Sequence, residues 1–330
     1  MHDLSVAIAV YNEEESLPHL CAKLDEVLHR LGKSYEVVLV DDGSTDDSWE
    51  VMKKEAAKYK GFKLVKFRRN YGQTAAMSAG INESDGAVLV TLDADLQNDP
   101  EDIPALLAKL EESGCDVVSG WRKNRHENEG LNRTLPSRVA NRIIGRLTGV
   151  KLHDYGCSLK AYRREIISKV RLYGEMHRFI PALCRWVGGS VTEMPVNHHQ
   201  RQFGKSKYGI SRTMRVVLDL MTVKFLLTFS TRPIQIFGRI GLYFGALAAL
   251  VMGVVGIEAM MALFGALQTP WWGGENAVLL VKRPFWVITP LMFFGFAIQF
   301  IVLGLLAELM TRTYHESQSK NIYEIKETIS

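Results

Sequence analysis

The sequence predicts an α/β fold with a mostly parallel, Rossmann-like sheet, followed by amphipathic helices and two membrane-spanning helices. Strand-like runs of branched aliphatic residues alternate with helical patterns over residues 4–119, as in doubly wound sheets. Acidic residues follow three of these runs, and open α/β sheets bind ligands at the carboxyl ends of their strands. Two long apolar runs lie in the last third of the chain.

Five runs are predicted to be strands because they consist mainly of aliphatic and β-branched residues. They are Leu4–Val10, Glu36–Val40, Lys63–Phe67, Val88–Leu92 and Asp116–Ser119. Apolar residues at helical spacing predict the intervening helices. These are Glu14–Leu31, one helix between the second and third strands, Gln73–Asn82 and Pro100–Glu112. Asn98 or Asp99 is expected to cap the last helix, with Pro100 in its first turn.

The fourth strand and the residues after it form the most informative stretch. The strand runs into Asp93 and Asp95, with Gln97 two residues further on. An Asp-x-Asp pair places two oxygen ligands on one side of an extended chain, and oxygen ligands suit Mg²⁺ or Mn²⁺. The alternative is a loop whose acids cap the next helix. Glu13 and Asp41–Asp42 follow the first two strands and favour the metal interpretation, because the carboxyl ends of parallel strands share one edge.

Composition and motifs argue against several other classes. A net charge of +4 is too mild to indicate nucleic-acid binding, and 47% hydrophobic residues exclude a disordered chain. The first strand is followed by no G-x-G-x-x-G motif, and the chain has no P-loop lysine motif, which argues against a dinucleotide oxidoreductase or a P-loop kinase. An acidic edge accepts a diphosphate only when a divalent cation neutralises it. Its other carboxylates can bind base and ribose, so the chemistry is that of a nucleotide-sugar site.

Six motifs carry a family resemblance. Four are Val10-Tyr11-Asn12-Glu13, Asp41-Asp42-Gly43-Ser44, Asn70-Tyr71-Gly72-Gln73 and Asp93-Ala94-Asp95-Leu96-Gln97. Together they resemble family 2 glycosyltransferases with the GT-A fold. The stretches Asp154–Arg164 and Arg201–Tyr208 resemble more narrowly the polyprenyl-phosphate glycosyltransferases. That group holds dolichol-phosphate mannose synthases and the bacterial undecaprenyl-phosphate glucosyl and 4-amino-4-deoxy-L-arabinose transferases.

The resemblance implies a membrane-bound, inverting transferase that uses a nucleotide-diphosphate sugar, with UDP favoured over GDP. Its acceptor would be polyprenyl (undecaprenyl) phosphate, and its product would serve cell-envelope glycan modification. Mg²⁺ or Mn²⁺ would be held by Asp93, Asp95 and Gln97, with Asp93 binding the ribose instead as an open alternative. The residues expected to bind the nucleotide sugar are Tyr11, Glu13, Asp41, Asp42 and Asp93.

Asp95 and Asp154 are the expected catalytic residues. Asp154 matches the family's proposed base, acting as base or orienting group, and a turn cap is its alternative role. A lipid monophosphate has a second pKa of about 6 and is mostly dianionic near neutral pH, so a base is less necessary than for a hydroxyl acceptor. The residues expected to bind acceptor and donor phosphates are Arg122, Arg201, Ser206 and Lys207. For Lys205 and Lys207, a surface charge run is the alternative.

Residues 1–210 are predicted to form the catalytic domain, including a basic interfacial helix at about 131–149. Arg138, Arg142 and Arg146 recur every fourth residue along that helix, which suits anionic lipid headgroups. A solvated surface helix is the alternative. Residues 211–232 are predicted to form a juxtamembrane amphipathic helix.

Two membrane-spanning helices are predicted within residues 233–312, at about 236–264 and 285–310. Each exceeds the roughly 20 residues that a crossing needs, and two buried core helices are the alternative. Residues 313–330 would form a cytoplasmic tail. Basic flanks, scattered cysteines and no signal-peptide pattern predict a multi-pass protein of the inner (cytoplasmic) membrane with its catalytic domain in the cytoplasm. Lys282 and Arg283 in the short outer loop oppose that charge rule.

Two other functions fit the sequence less well. A processive polysaccharide synthase of the same superfamily would carry Gln-x-x-Arg-Trp, and Ala182 stands in place of the glutamine before Arg185–Trp186. A non-catalytic membrane scaffold is disfavoured by the intact acidic strand ends. The sugar stays open between glucose and 4-amino-4-deoxyarabinose derivatives, and relatives suggest a homotetramer.

Overall fold

The computed structural model describes most of the first 200 residues and a short C-terminal segment. The described ranges are 2–123, 141–142, 144–146, 148–200 and 322–329, with isolated helical positions between 288 and 313. The chain divides into two compact units, one of Met1–Leu227 with Ser317–Ser330 and one of Thr228–Glu316.

The predicted membrane segments fall mostly outside the described ranges. Within those ranges, we find no helix that combines the length and the apolar composition that a membrane crossing requires. The predicted segments 211–232 and 236–264 lie outside them completely, and only isolated positions of 285–310 are included. Of the predicted basic helix at 131–149, the described positions 141, 142, 144–146 and 148 are helical. The predicted domain boundaries therefore stay predictions.

An eight-stranded sheet forms the centre of the first unit, in the order β7-β5-β6-β4-β1-β2-β3-β8. Its strands are β1 (Leu4–Val10), β2 (Tyr35–Asp41), β3 (Phe62–Phe67), β4 (Val88–Asp93), β5 (Val117–Trp121), β6 (Lys160–Arg163), β7 (Val191–Pro195) and β8 (Ile325–Ile329). The pairs β4–β6, β5–β6 and β3–β8 are antiparallel, and the other pairs are parallel. The prediction of a mostly parallel α/β sheet is confirmed.

Four helices of two turns or more pack on the sheet, together with shorter ones. They are α1 (Leu17–Arg30), α2 (Ser48–Ala56), α3 (Gln73–Glu83) and α4 (Ile103–Ser113), with short helices Arg164–Ile167 and Ile180–Trp186 and 3₁₀ turns Pro100–Asp102 and Met176–Phe179. Of the two residues predicted to cap α4, Asp99 caps the 3₁₀ turn instead, since its Oδ1 accepts from the N–H of Glu101 at 3.0 Å, whereas the N-cap of α4 itself is Asp102. The 3₁₀ turn delays the start of α4 by three residues relative to the prediction.

Two apolar clusters cover the two faces of the sheet. Side chains alternate along a strand, so Val37 and Leu39 of β2 belong to one cluster and Val38 and Val40 to the other. Helices α1, α2 and α4 contribute to the first cluster and α3 to the second. Because both faces are covered, the ligand-binding edge is defined by strand ends rather than by a sheet face.

The five predicted strands are confirmed, but β6, β7 and β8 were not predicted. β6 is four residues long and has Lys160 and Arg163 at its ends, and β8 is mostly polar and exposed. Short or polar strands lack the apolar run that identifies a buried strand in a sequence.

Strand direction decides which residues meet at the ligand-binding edge. The carboxyl ends of β1, β2, β3, β4, β5 and β7 lie on one edge because these strands run in the same direction. β6 and β8 run in the opposite direction, so their amino ends, at Lys160 and Ile325, reach the same edge. That edge is the candidate site.

Candidate active site

The loops after β1 and β2 are tied together by side-chain hydrogen bonds. Asn12, whose φ is 53°, accepts from the N–H of Thr45 at 2.8 Å, and its own N–H donates to Ser44 Oγ at 3.0 Å. The N–H of Glu13 donates to Ser48 Oγ at 2.8 Å. The predicted residues Tyr11 and Glu13 are half-buried in this joined pair of loops, so their position depends on both strands.

Asp41 ends β2 and is completely buried. Its Oδ1 accepts from the N–H of Ser44 at 2.9 Å. Its Oδ2 is buried and has no hydrogen-bond partner among the residues that the structure describes. A buried carboxylate oxygen without a donor is costly, so this atom is suited to accept from a bound ligand.

Asp42 holds the loop that precedes α3. Its carboxylate accepts from the N–H of Tyr71 at 2.7 Å, from the N–H of Gly72 at 2.9 Å and from Nδ2 of Asn70 at 3.0 Å. Burial raises the pKa of Asp42 to about 6, although these hydrogen bonds lower it and Asp41 adds to the rise. Asp42 was predicted as a direct nucleotide ligand, and the structure gives it a holding role that the sequence did not indicate.

Gly43 sits where the β2 loop meets the loop held by Asp42. Its φ is 67°, and a Cβ at this position would lie 2.3 Å from the carbonyl carbon of Arg69 and 2.5 Å from the nitrogen of Asn70. Backbone packs against backbone here, so only glycine fits. This contact explains the glycine in Asp41-Asp42-Gly43-Ser44.

The three predicted metal ligands lie together at the end of β4. Asp93 Oδ1 accepts from Nε2 of Gln73 at 2.8 Å, and Asp95 Oδ1 accepts from the N–H of Gln97 at 3.2 Å. Leu96, between Asp95 and Gln97, adopts a φ of 60°, which is uncommon for leucine. Its side chain packs on the core. The surrounding protein raises the pKa of the half-buried Asp93, and the charge of Asp95 raises it further. Two close carboxylates that disfavour each other's charge suit a divalent cation.

Arg122 and Asp154 form a two-point ion pair. Nε of Arg122 donates to Oδ2 of Asp154 at 2.7 Å and Nη2 donates to Oδ1 at 3.1 Å, with both side chains 10% exposed or less. Burial opposes the charge on Arg122, but Asp154 outweighs it and raises the pKa of the guanidinium. Oδ1 of Asp154 also accepts from the N–H of Gly156 at 3.0 Å, so Asp154 stabilises a turn as well. Separate roles were predicted for these two residues, whereas the structure joins them.

Lys160 is a residue of this edge to which the sequence analysis assigned no role. It is 3% exposed, and its Nζ donates to the backbone carbonyl of Cys157. Burial lowers its pKa, while the neighbouring acids Asp154 and Asp93 raise it. Its position between Leu159 and Ala161 gave no signal in the sequence, because β6 is too short to be recognised as a strand there. Lys160 and Arg122 together supply positive charge beside the acids.

The remaining predicted phosphate ligands, Arg201, Ser206 and Lys207, lie outside the described residues. The described chain just before them runs along the predicted metal loop. The N–H of His199 donates to the carbonyl of Gln97 at 2.9 Å, and His198 forms a β-bridge with Asn98.

A different group of ligand-type side chains lies at the opposite edge of the sheet. His2, Glu36 and Asp85 bring three ligand atoms within 4.8 Å of one another. They stand at the amino ends of β1, β2 and β4. Glu36 Oε1 already accepts from Ser5 Oγ and from the N–H of Asp85, each at 2.6 Å. The group is distinct from the acids at the end of β4.

Comparison with known proteins identifies the family. The model of the family described as "Glycosyl transferase family 2" matches residues 5–171. Dodecaprenyl-phosphate galacturonate synthase of Rhizobium johnstonii is 42% identical over 335 residues, covering 98% of this chain and 92% of that protein. The chain belongs to glycosyl transferase family 2. Undecaprenyl-phosphate 4-deoxy-4-formamido-L-arabinose transferase of an Enterobacter species is 39% identical over 332 residues, covering 100% of this chain and 94% of that protein.

Solved structures resemble this glycosyltransferase in fold. Glucosyl-3-phosphoglycerate synthase from Mycobacterium tuberculosis, in complex with Mn²⁺, UDP-glucose and phosphoglyceric acid, matches with a TM-score of 0.51 at 17% identity, covering 68% of this chain and 79% of its own. Mannosyl-3-phosphoglycerate synthase from Rubrobacter xylanophilus matches with a TM-score of 0.55 at 14% identity, covering 68% and 74%. The predicted membership of the polyprenyl-phosphate glycosyltransferases and the predicted GT-A α/β domain are confirmed.

Proposed function

We propose that this family 2 glycosyltransferase moves a sugar from a nucleotide-diphosphate donor, with UDP favoured, to polyprenyl phosphate. The observation that carries the proposal is the gathering of Asp41, Asp93, Asp95, Arg122 and Asp154 at one edge of the sheet, in a chain whose full-length relatives are named for sugar transfer to polyprenyl phosphates. The edge supplies carboxylates that can bind a metal ion and a nucleoside. It also supplies a basic side chain that can bind phosphate. The product would be a polyprenyl-phosphate-linked monosaccharide.

Asp93, Asp95 and Gln97 fit a divalent cation, Mg²⁺ or Mn²⁺. All three offer oxygen atoms. Burial raises the pKa of Asp93 and the charge of Asp95 raises it further, and a bound cation would offset both effects by stabilising the ionised carboxylate. When bound, the cation would supply Lewis-acid stabilisation of the leaving diphosphate. Gln73, by donating to Asp93 at 2.8 Å, keeps that carboxylate pointing to a defined position.

The donor's nucleoside would lie against the loops after β1 and β2. Asp41 Oδ2 is the proposed acceptor for an N–H of the base, because it has no donor within the described chain; its burial requires the surrounding loop to open when the donor binds. Tyr11 and Glu13 stay proposed contacts of the nucleotide sugar. Asp42 would act indirectly, since its carboxylate accepts hydrogen bonds from the Asn70–Gly72 loop.

Asp154 is proposed as an orienting group rather than an obligatory base. Both of its carboxylate oxygens accept hydrogen bonds from Arg122, which leaves Asp154 less available as a base, and the dianionic acceptor phosphate is already a nucleophile near neutral pH. Attack from the face opposite the leaving diphosphate would invert the anomeric configuration. Arg201, Ser206 and Lys207 stay the proposed ligands of the acceptor phosphate.

Attachment to the inner membrane, with the catalytic domain in the cytoplasm, is part of the proposal. At the end of the basic helix, Arg142 and Arg146 are exposed while Ile144 is buried, as expected of an interfacial helix. In the second unit, five large apolar side chains at helical spacing are 43–73% exposed: Ile288, Met292, Leu303, Leu306 and Met310. Exposed apolar faces of this kind suit lipid or another apolar partner. The two membrane-spanning helices and the tetramer stay predictions.

The direct test is transfer by the purified full chain in lipid nanodiscs. UDP-glucose, UDP-galacturonate and UDP-4-formamido-arabinose would be offered with undecaprenyl phosphate and Mg²⁺ or Mn²⁺, and lipid products would be weighed by mass spectrometry. We expect a single sugar added to the lipid phosphate with one donor, and no product in EDTA. Long glycans would instead favour a processive synthase, and absence of product from a full donor panel, GDP-sugars included, would favour a scaffold.

Donor binding is expected to weaken as the pH falls through about 6, the raised pKa of Asp42. Protonation of the Asp42 carboxylate weakens the hydrogen bonds that it accepts from the N–H groups of Tyr71 and Gly72. The diphosphate of a nucleotide sugar does not titrate in this range, so calorimetric binding of UDP-glucose with Mn²⁺, without acceptor, isolates the effect. Asp42→Asn should bind more weakly and lose the inflection. An inflection that persists in Asp42→Asn would assign it to another group.

A further inference from the structure

The C-terminal segment of the described chain is built into the sheet. β8 pairs antiparallel with β3, with Leu64 opposite Ile329 and Phe67 opposite Ile325. The N–H of Arg68 donates to the carbonyl of Glu324 at 3.1 Å, which extends the contact beyond the end of β3. The tail therefore touches the start of the loop that leads to α3.

Tyr323, just before β8, is the anchor of this contact. Its ring stacks on Phe67 with centroids 5.0 Å apart and an interplanar angle of 15°. Nδ2 of Asn82, near the end of α3, donates to its hydroxyl at 3.0 Å. Only 4% of Tyr323 is exposed. One side chain from the tail thus contacts both elements that bracket the loop of residues 68–72.

That loop is the one that positions the acids of the donor site. Phe67, on which Tyr323 stacks, also contacts Tyr71: the two rings meet edge to face with centroids 5.7 Å apart. The N–H of Tyr71 donates to Asp42 at 2.7 Å, and two residues later Gln73 donates to Asp93 at 2.8 Å. A continuous series of contacts therefore runs from the tail to two acids at the ligand-binding edge.

We propose that residues 322–329 are a structural part of the donor site and that Tyr323 is a positioning residue for nucleotide-sugar binding. The inference rests on the proposed donor role of this edge. Without the Tyr323 ring, Phe67 loses a stacking partner and a cavity opens beneath the loop. Tyr71 can then move, and the hydrogen bonds that hold Asp42 weaken. Among the described residues, the series includes no predicted phosphate ligand, so the effect should fall on the donor.

The test compares Tyr323→Ala with two matched variants of the full chain. Tyr323→Phe keeps the stacked ring but loses the hydroxyl, and Glu327→Ala changes an exposed side chain of β8. We expect Tyr323→Ala to raise the KM for the nucleotide sugar about tenfold with the KM for polyprenyl phosphate unchanged. Tyr323→Phe should restore most of the donor affinity, and Glu327→Ala should match the wild type.

A second measurement does not depend on turnover. Amide hydrogen exchange of Tyr71 and Gly72 should be faster in Tyr323→Ala than in Glu327→Ala, whether or not the substrates have been identified. Unchanged exchange at these amides together with an unchanged donor KM would overturn the inference. Equal loss of both substrates with a lowered Tm would also overturn it, by reducing Tyr323 to a fold-stabilising residue. A wild type that uses no nucleotide sugar would refute the proposed function while leaving the exchange result interpretable.

Discussion

Replacing Asp95 by asparagine is expected to reduce sugar transfer about a hundredfold or more, the usual cost of removing a group that stabilises developing charge. Asp95 stands two residues beyond the Asp93 carboxylate, and its Oδ1 accepts from the N–H of Gln97. Asparagine keeps the shape and one acceptor oxygen but removes the negative charge that a divalent cation requires. Initial rates measured across a Mn²⁺ titration should show lower turnover and a higher metal requirement.

Glu112→Gln is a suitable control for this experiment. Glu112 is an exposed acid in α4, so the change removes the same charge far from the edge of the sheet that holds Asp95. Its rates and its metal requirement should equal those of the wild type. If Asp95→Asn kept wild-type turnover with an unchanged Mn²⁺ dependence, the cation would have to be held elsewhere.

Replacing Arg122 by methionine is expected to lower both stability and activity strongly. It leaves the carboxylate of Asp154, 9% exposed in the present structure, without its counter-charge. Breaking a buried ion pair on one side costs about 3–5 kcal/mol. Arg122 also lowers the pKa of Asp93, so its loss should further disfavour the ionised acid beside Asp95. Thermal melting of the purified chain and transfer assays would measure the two effects.

The double variant Arg122→Met/Asp154→Asn separates stability from activity. Removing both charges should recover most of the Tm, because no uncompensated charge stays buried. Activity should stay low, since the edge has then lost both the guanidinium of Arg122 and the orienting carboxylate of Asp154. A double variant as unstable as Arg122→Met, or one with wild-type turnover, would contradict the importance of the pair.

Much of the fold and of the donor side could be predicted because the signals are local. Strands covered on both faces are apolar along their length, so β1 to β5 stand out in the sequence. The acids at positions 41, 42, 93 and 95 immediately follow such strands. Parallel strands then bring those positions to a common edge whatever the loops do.

Contacts between distant segments could not be predicted in the same way. Arg122 and Asp154 are 32 residues apart, and they meet because β6 runs antiparallel between β4 and β5. A short strand with charged ends has no distinctive pattern, so neither its direction nor the position of Lys160 was foreseeable. The loop-holding contacts of Asp42 were not foreseen for a related reason, since its partners belong to the loop before α3.

The sequence by itself determined the class of fold, the family and the presence of an acidic strand edge, because each depends on residue type at short spacing. The tertiary structure alone decided which charges are joined. It paired Asp154 with Arg122, turned Asp42 toward the Tyr71 loop and stacked Tyr323 on Phe67, which precedes that loop. The reason is physical: hydrogen bonds and ion pairs act over a few ångströms of space, and only the folded sheet brings residues so distant along the chain within that range.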